Sequence, residues 1–427
     1  MGEEEIDGLA AEVDCCIVGA GPAGALLALM LARQGVRVAL LEAHGDFERQ
    51  FRGDALQPSA LEILDDLGLA DRLLALPHAK NRTLTAHTPQ GVLQLVDLSQ
   101  IDSKFPFVML MPQARFLDFL IAEAGRWPGF QLVLHARVEQ LIETGGRIAG
   151  VRYRQGDRWR EIRAPLTVGA DGRFSRVRQL AGLAAVKHPV EQDLLWLRVA
   201  RHAGDPSDGS LVFAGAGGES VVALNRDDHW QIGYMIRSGS FQELRAAGAD
   251  ALRQRLRAVA PLLAARFDEL PDWGEVAVLR VESNRLKRWH RPGLLMIGDA
   301  AHTMSPLGGV GVNYALQDAV VAANVLGAAL KRGAAPRWLL ARVQLQRELP
   351  IRVIQTLQTA FQRRAMAAGT TPRRTNPGGM PWLLRAVLAN RLVKALPSRL
   401  LAFGLWRVRV RQPASPPVAQ ERRIDLT

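Results

Sequence analysis

The chain has 427 residues, 48% of them hydrophobic, with 39 glycines, two cysteines and a formal net charge of +12. That length and apolar content suit a globular α/β protein of one large or two to three ordinary domains, and they exclude a disulfide scaffold. The charge is lopsided: residues 331–427 hold 19 Lys and Arg against three acids (Glu348, Glu421 and Asp425), so the basicity belongs to the C-terminal part and not to residues 1–330.

The first residues, Met1-Gly-Glu-Glu-Glu-Ile-Asp-Gly, are acidic and lack the basic and apolar regions of a signal peptide. Ile6 breaks the myristoylation pattern, and no apolar run is long enough to span a bilayer. Cys15 and Cys16 are adjacent in a predicted strand, with side chains on opposite faces, and are expected to be core thiols of a cytoplasmic protein.

Val13–Val18 reads as a strand, Gly19-Ala-Gly-Pro-Ala-Gly24 as a turn, Ala25–Gln34 as a helix stopped by Gly35, and Val36–Leu41 as a second strand ending in Glu42. This is the dinucleotide fingerprint in its full context. Gly19 makes the turn, Gly21 admits a pyrophosphate, Gly24 lets helix and strand pack closely, and Glu42 suits a free ribose 2′-hydroxyl, as in FAD or NAD. Pro22 and Ala23 complete the turn. Arg52, just ahead of a helix opening at Pro58 or Ser59, is either a cover for the pyrophosphate or a surface arginine.

Residues 82–98 alternate like strands around Gln90-Gly91. Phe105–Met111 leads to Gln113 and a helix over 116–125, and strands near 131–138 and 147–153 flank Gly145-Gly146. Thr167–Ala170 delivers Asp171-Gly172 ahead of a helix opened by Ser175 and Arg176; a helix cap at Asp171 or Ser175 is the bland alternative. Residues 187–280 read as an antiparallel sheet with a helix near 248–266. On the strand 193–200, alternation puts Leu194, Trp196 and Arg198 on one face, and Tyr234 lies on another strand of that sheet. An aromatic pair with an arginine suits an aromatic or carboxylated ligand; sheet packing explains the residues equally well.

Leu294–Ile297 reads as a buried strand that ends in Gly298-Asp299, at the carboxyl edge where open α/β sheets bind ligands. Pro306 and Gly308, Gly309 and Gly311 form a turn whose backbone can approach a flat ring, and a helix from Val312-Asn313 aims its amino terminus there. His302 reads as loop structure rather than a proton donor. No His, Cys or acidic cluster has metal-ligand spacing.

GAGPAG at 19–24 with Glu42, GADG at 169–172 and GDAAH…P…GGVGVNYALQDA at 298–319 stand in this order, and together they resemble the single-component FAD-dependent aromatic hydroxylases, the superfamily of p-hydroxybenzoate hydroxylase and the ubiquinone-pathway hydroxylases. The resemblance spans most of residues 10–360. It implies an α/β fold: a Rossmann-like FAD-binding domain (10–80, 105–186 and 281–365), an inserted antiparallel-sheet substrate domain (81–104 and 187–280), and a basic C-terminal helical tail (366–427). It further implies that Gly19, Gly21, Gly24 and Glu42 take the ADP half of FAD, and Arg52 and Gln113 the pyrophosphate and ribityl chain. Asp171 would serve flavin and pyridine nucleotide, Asp299 the ribityl hydroxyls, and Pro306–Gly311 the isoalloxazine. NADH or NADPH would bind transiently, and reduced flavin would capture O2 as a C4a-hydroperoxide that oxygenates the substrate.

A flavin halogenase is expected to carry Trp-x-Trp-x-Ile-Pro, which Trp196-Leu-Arg and Trp230-Gln-Ile do not supply. A reductase of prenyl or polyketide-type chains and a non-catalytic flavin binder remain as alternatives. In the tail, Pro381–Leu396 and Ser398–Arg411 mix apolar and basic residues. They either pack on the FAD domain with a solvated basic face or lie on an anionic membrane, which would suit a lipophilic substrate. Nucleic acid has only net charge in its favour. Oligomeric state is not readable.

Overall fold

The computed structural model describes residues 11–48, 54–88, 91–188, 190–206, 208–214, 219–226, 228–270, 273, 276–370 and 391–411. It opens with β1 (Cys15–Val18), all four residues of which are buried. Cys15 belongs to one hydrophobic core and Cys16 to another, as strand alternation requires. Burial raises both thiols, Cys16 to about 12, so neither is nucleophilic at neutral pH. α1 (Pro22–Arg33) follows with Pro22 in its first turn, where a missing N–H costs nothing, and Gly35 at φ +79° just past its end. All residues from Ala23 to Ala32 are buried, because α1 is sandwiched between the sheet and neighbouring helices.

β2 (Val38–Leu41), β3 (Ala55–Leu56) and α2 (Pro58–Asp66) lead to a first excursion, the hairpin β4 (Thr83–Thr88) and β5 (Gly91–Asp97). The chain returns through β6 (Val108–Leu110), α3 (Gln113–Ala124) and β7 (Phe130–Val133). A meander over 137–144, 147–155 and 158–163 precedes β8 (Leu166–Gly169) and α4 (Arg176–Leu180). The second excursion carries β9 (Gln192–Ala200), β10 (Ser210–Ala214), β11 (Ser220–Asn225), β12 (His229–Arg237), α5 (Ala249–Val259) and β13 (Ala277–Arg280). β14 (Leu294–Met296), α6 (Gly311–Leu330), α7 (Arg337–Thr370) and α8 (Arg391–Phe403) complete the described chain.

Two sheets, called floor and roof, organise the chain. The floor sheet runs β14-β8-β1-β2-β7, all parallel, with 290–291 as an antiparallel edge beyond β14. Strand order reverses between β1 and β8, so their carboxyl ends form the crevice where such sheets bind ligands. The roof sheet runs β13-β9-β12-β11-β10-β4-β5. Its neighbours are antiparallel except β10 and β4, which pair parallel, Ser210 opposite Leu84, where the two excursions meet. Each excursion leaves and returns through paired strands: 79–81 against β6, and 185–188 against 283–286.

Two local expectations are corrected. The strand expected over 131–138 is two, β7 and 137–144, parted where His135 takes φ +57°. α7 runs unbroken through 365–366, where the tail was expected to begin. Residues 371–390, which hold most of the expected Pro381–Leu396 helix, lie outside the described residues, but 391–411 dock on the body. Ala402 and Phe403 pack against Val96, Leu98 and Ile101, and Ser398 Oγ accepts the Asp97 N–H at 3.1 Å. The tail's basic residues are not simply solvated, since Arg407 and Arg409 pair with Glu62 at 3.4 Å each and Arg409 also with Asp66 at 3.0 Å.

Candidate functional site

The crevice at the β1–β8 switch is built by three glycine turns. Gly19, after β1, has φ +99°, and a Cβ there would lie 2.6 Å from the Ala170 carbonyl oxygen. A Cβ on Gly24 would lie 2.0 Å from the Gly19 oxygen, whereas one on Gly21 would meet nothing within 4 Å. So Gly19 and Gly24 are required by backbone packing, and Gly21 leaves open space at the start of α1. Gly21 caps α1 with no side-chain hydrogen bond, so the first-turn N–H groups are left for an anionic ligand. Glu42, buried at the end of β2, accepts the Ala20 N–H at 3.0 Å and the His44 N–H at 3.1 Å, which fixes its carboxylate beside the turn.

The turn after β8 places Asp171 at the head of α4. Its carboxylate accepts the Ser175 hydroxyl at 2.5 Å and the Val177 N–H at 3.0 Å, so Asp171 does serve as a cap there. Burial raises its pKa and these bonds oppose the rise. Gly172 (φ +80°) leaves open space beside it.

The turn after β14 abuts the first one, since a Cβ on Gly298 (φ +58°) would lie 3.1 Å from Ala23 Cβ. Asp299 stands next, half-buried, in a short turn whose carbonyl accepts Thr303 Oγ1 at 3.2 Å. Pro306 leads into Gly308 and Gly309, both left-handed at φ +78° and +61°. Gly311 then opens α6 over free space, again without a side-chain cap. Val312 and Asn313 are buried in its first turn. Asn313 Oδ1 accepts the Gln57 N–H at 2.8 Å, its Nδ2 donates to the Ala55 carbonyl at 3.1 Å, and Gln57 Nε2 donates to the Gly308 carbonyl at 3.0 Å. These bonds hold the Gly308–Gly309 backbone against β3.

Behind that turn lies a buried network that the sequence reading missed. Asp318 on α6 accepts the Gly298 N–H at 3.0 Å, meets His302 Nε2 at 2.5 Å and accepts Arg347 Nε at 2.7 Å. Arg347, on α7, is fully buried. Burial works to raise Asp318's pKa, but the His302 and Arg347 charges outweigh it and hold the carboxyl below its ordinary range. His302, expected as loop structure, stands instead in a short buried strand, 302–303, paired with 283–286, and is the partner of this acid. Asp318 stands inside the 298–319 stretch, but nothing in a linear reading ties it to Arg347.

Arg52 lies outside the described residues. Gln113 opens α3 and donates its backbone N–H to Asp54 at 3.2 Å. Asp54 also pairs with Arg226 from the roof, and Arg226 Nε donates to Gln231 Oε1 at 2.7 Å. Burial pushes Asp54 up and Arg226 down in spite of their pairing. It ties the roof sheet to the start of β3, next to Ala55, whose Cβ would sit 3.3 Å from a Cβ on Gly309.

On the roof, Trp196 is half-buried and Arg198 exposed, whereas Leu195, Leu197 and Val199 are buried on the other face. Gly233, opposite Trp196, makes room for the indole: a Cβ there would lie 3.0 Å from Trp196 Cζ3 and 2.8 Å from Val222 Cγ1. Tyr234 does not join them. It pairs with Leu195 and is buried with Leu195, Leu197 and Leu256, because directly opposed residues share a face and Tyr234 is in phase with the core set. Burial also raises its phenol pKa. The expected aromatic pair is therefore split between the two faces. Among the described residues no group of three or more His, Cys, Asp or Glu could hold a metal ion.

The crevice thus offers two uncapped helix termini, open space at three glycines and an acid at the end of β2. These features fit an extended dinucleotide whose pyrophosphate meets α1 and whose ring meets the Pro306–Gly311 turn.

Comparison with known proteins gives a consistent result. Residues 12–355 match the protein family described as FAD binding domain. The 6-methylpretetramide 4-monooxygenase of Streptomyces rimosus is 31% identical over 404 residues, which cover 94% of this chain and 94% of that protein. The 3-demethoxyubiquinol 3-hydroxylase of Escherichia coli K12 is 27% identical, over 78% of this chain and 85% of that one. The structure of Pseudomonas aeruginosa PqsL in complex with 2-aminobenzoylacetate superposes with a TM-score of 0.74 at 24% identity, covering 84% of this chain and 99% of PqsL.

Proposed function

This chain belongs to the FAD-dependent aromatic hydroxylase family, and from that premise we propose that it hydroxylates an aromatic or phenolic small molecule with NAD(P)H and O2. The observation that carries the reading is the convergence of three glycine turns on one crevice; the face of the second sheet that bears Trp196 and Arg198, turned away from that sheet's own hydrophobic core, is read as its roof. Bound FAD supplies the oxygen activation; the chain's own residues bind, orient and exclude water.

In this reading residues 10–80, 105–186 and 281–365 form the FAD-binding domain, and 81–104 with 187–280 the substrate domain. Gly19, Gly21 and Gly24 accept the pyrophosphate at the N-terminus of α1, and Glu42 takes the adenosine ribose. Asp299 takes the ribityl hydroxyls. The Gly308, Gly309 and Gly311 backbone, with the α6 terminus behind it, would hold the ring and favour negative charge there. The Asp318–His302–Arg347 network holds Asp299 and its turn in place. Trp196 forms a flat wall for the substrate ring, and Arg198 orients a phenolate or carboxylate oxygen. Similarity along nearly the whole chain to an enzyme named for 6-methylpretetramide favours a fused-ring phenolic substrate over a single ring.

The test is oxygen and NAD(P)H consumption by the FAD-loaded protein with a panel of single-ring and fused-ring phenols. Stimulation by one compound, with one oxygenated product formed per NAD(P)H consumed, is expected. Substrate reduction that proceeds equally well without oxygen would replace this reading with a reductase.

A further inference from the structure

We propose that the outward face of α7 is a docking surface for an anionic membrane, so that the helix lies on the bilayer and its inner side steadies the Pro306 turn.

The outward face is unusual for a folded chain. Trp338, Leu345 and Leu349 are 63%, 77% and 53% exposed, and their spacing of seven and four residues puts them on one stripe of a helix. Leu357 and Phe361 are also exposed further along α7, but they stand roughly 80° and 120° round the helix from Leu349 and are not part of this stripe. Arg342 and Arg352, both exposed, fall at helical spacing beside the stripe. Between Lys331 and Thr370 the sequence has eight Lys and Arg, of which Arg347 is buried on Asp318 and not on this face, and a single acid, Glu348, which pairs with Arg352. An apolar stripe in a basic field fits a lipid surface of negative charge: the side chains enter the acyl boundary and the guanidinium groups meet the head groups. No helix among the described residues is long and apolar enough to cross a membrane, so the geometry is that of a helix lying in the interface.

Charge also argues against other occupants. A second copy docked on this face would set arginine rows against each other with almost no acid to pair them. Residues 371–390, next in the chain, bring Arg373, Arg374 and Arg385 and no acid. Among the docked tail residues, Arg407 and Arg409 are taken by Glu62 and Asp66; on α7, Arg352 is taken by Glu348 and Arg347 is buried on Asp318, which leaves Arg337, Arg342 and Arg363 exposed and without an ion pair among the described residues.

The inner side of the same helix grips the turn at the candidate ring site. Gln355 Nε2 donates to the Asn284 and Thr303 carbonyls at 3.0 Å each. Gln358 Nε2 donates to the Ser305 and Leu307 carbonyls at 3.0 and 2.8 Å, and Gln362 Nε2 to Ser305 Oγ at 3.0 Å. Only the thickness of one helix, about 10 Å, then separates the lipid face from the Pro306 turn. A lipophilic aromatic substrate would suit this placement; that last step rests on the hydroxylase reading, and the docking itself does not.

The experiment is co-sedimentation of the FAD-loaded full-length chain with vesicles of phosphatidylcholine alone or mixed with phosphatidylglycerol, at low and high salt, without NAD(P)H or substrate. Salt-sensitive binding to the phosphatidylglycerol vesicles is expected. The variant L345E/L349E should bind about tenfold more weakly or worse while keeping the flavin spectrum and melting temperature of the parent. Equal binding to both vesicles, or unchanged binding by the variant, overturns the proposal. So does a dimer in solution that the variant dissociates, which would make this face an interface between copies. Hydrogen-exchange protection of 338–361 without vesicles, lost on deleting 371–390, would assign the face to the chain's own segment. Turnover is not read in any arm, so failure of the hydroxylase reading and failure of the docking are separate results.

Discussion

The floor of the cleft is made of backbone, and the roof is made of side chains. On the floor, Gly19 and Gly24 are fixed by backbone atoms that leave no room for a Cβ, and Gly308 and Gly309 by left-handed φ. On the roof sheet, the face that each residue takes is decided by cross-strand register: Trp196 opposite Gly233 looks one way, Leu195 opposite Tyr234 the other. A backbone-built site tolerates almost no substitution, whereas a side-chain-built site can be retuned one residue at a time.

The comparison predicts a graded series. Gly24→Val drives a side chain into the Gly19 carbonyl, and the purified protein should lose its flavin, with FAD affinity down by more than about a hundredfold. A yellow Gly24→Val protein of normal affinity would break the comparison at its strongest point. Arg347→Met leaves Asp318 with His302 and the Gly298 N–H but no guanidinium, and should cost about 3–5 kcal/mol, read as a lower denaturation midpoint. Asp318's folded pKa is depressed, so its contribution is fully present above the unfolded carboxylate value of about 3.9 and is lost as pH falls through the folded value. Parent and Arg347→Met should therefore differ most near neutrality and converge in acid, and a gap that stays constant down to acid pH would count against the ion pair. Trp196→Ala and Arg198→Ala should each raise KM about tenfold, roughly 1.4 kcal/mol, with flavin binding untouched. If either one empties the flavin site instead, roof and floor are not separable. Tyr234→Phe should be close to silent, within about 1 kcal/mol and with KM unchanged. A KM effect there would return Tyr234 to the cleft.

The same difference explains what could be read in the sequence. The three glycine turns were legible because residue type itself encodes left-handed backbone and close approach. Strand alternation correctly put Leu194, Trp196 and Arg198 on one face. It could not phase Tyr234 against them, since phase within a strand says nothing of register between strands. The Asp318–Arg347 and Asp54–Arg226 pairs join residues 29 and 172 positions apart; burial and partner choice at such separations are properties of the folded packing. Asp171 illustrates a third case, a residue that matches a motif and also caps a helix, so that its local bonds alone do not reveal its ligand.

The parallel pairing of β4 with β10 has a consequence for biosynthesis. The hairpin β4–β5 is finished once residue 97 has been made, but β4's other neighbour in the sheet begins at Ser210. At roughly 5–20 residues per second the ribosome needs on the order of ten seconds to reach it. During that interval β4 has an open edge, and Val92 and Leu93 are exposed even in the finished fold. The nascent chain therefore carries a waiting sheet edge through the middle of its synthesis, which is the kind of surface that ribosome-associated chaperones cover.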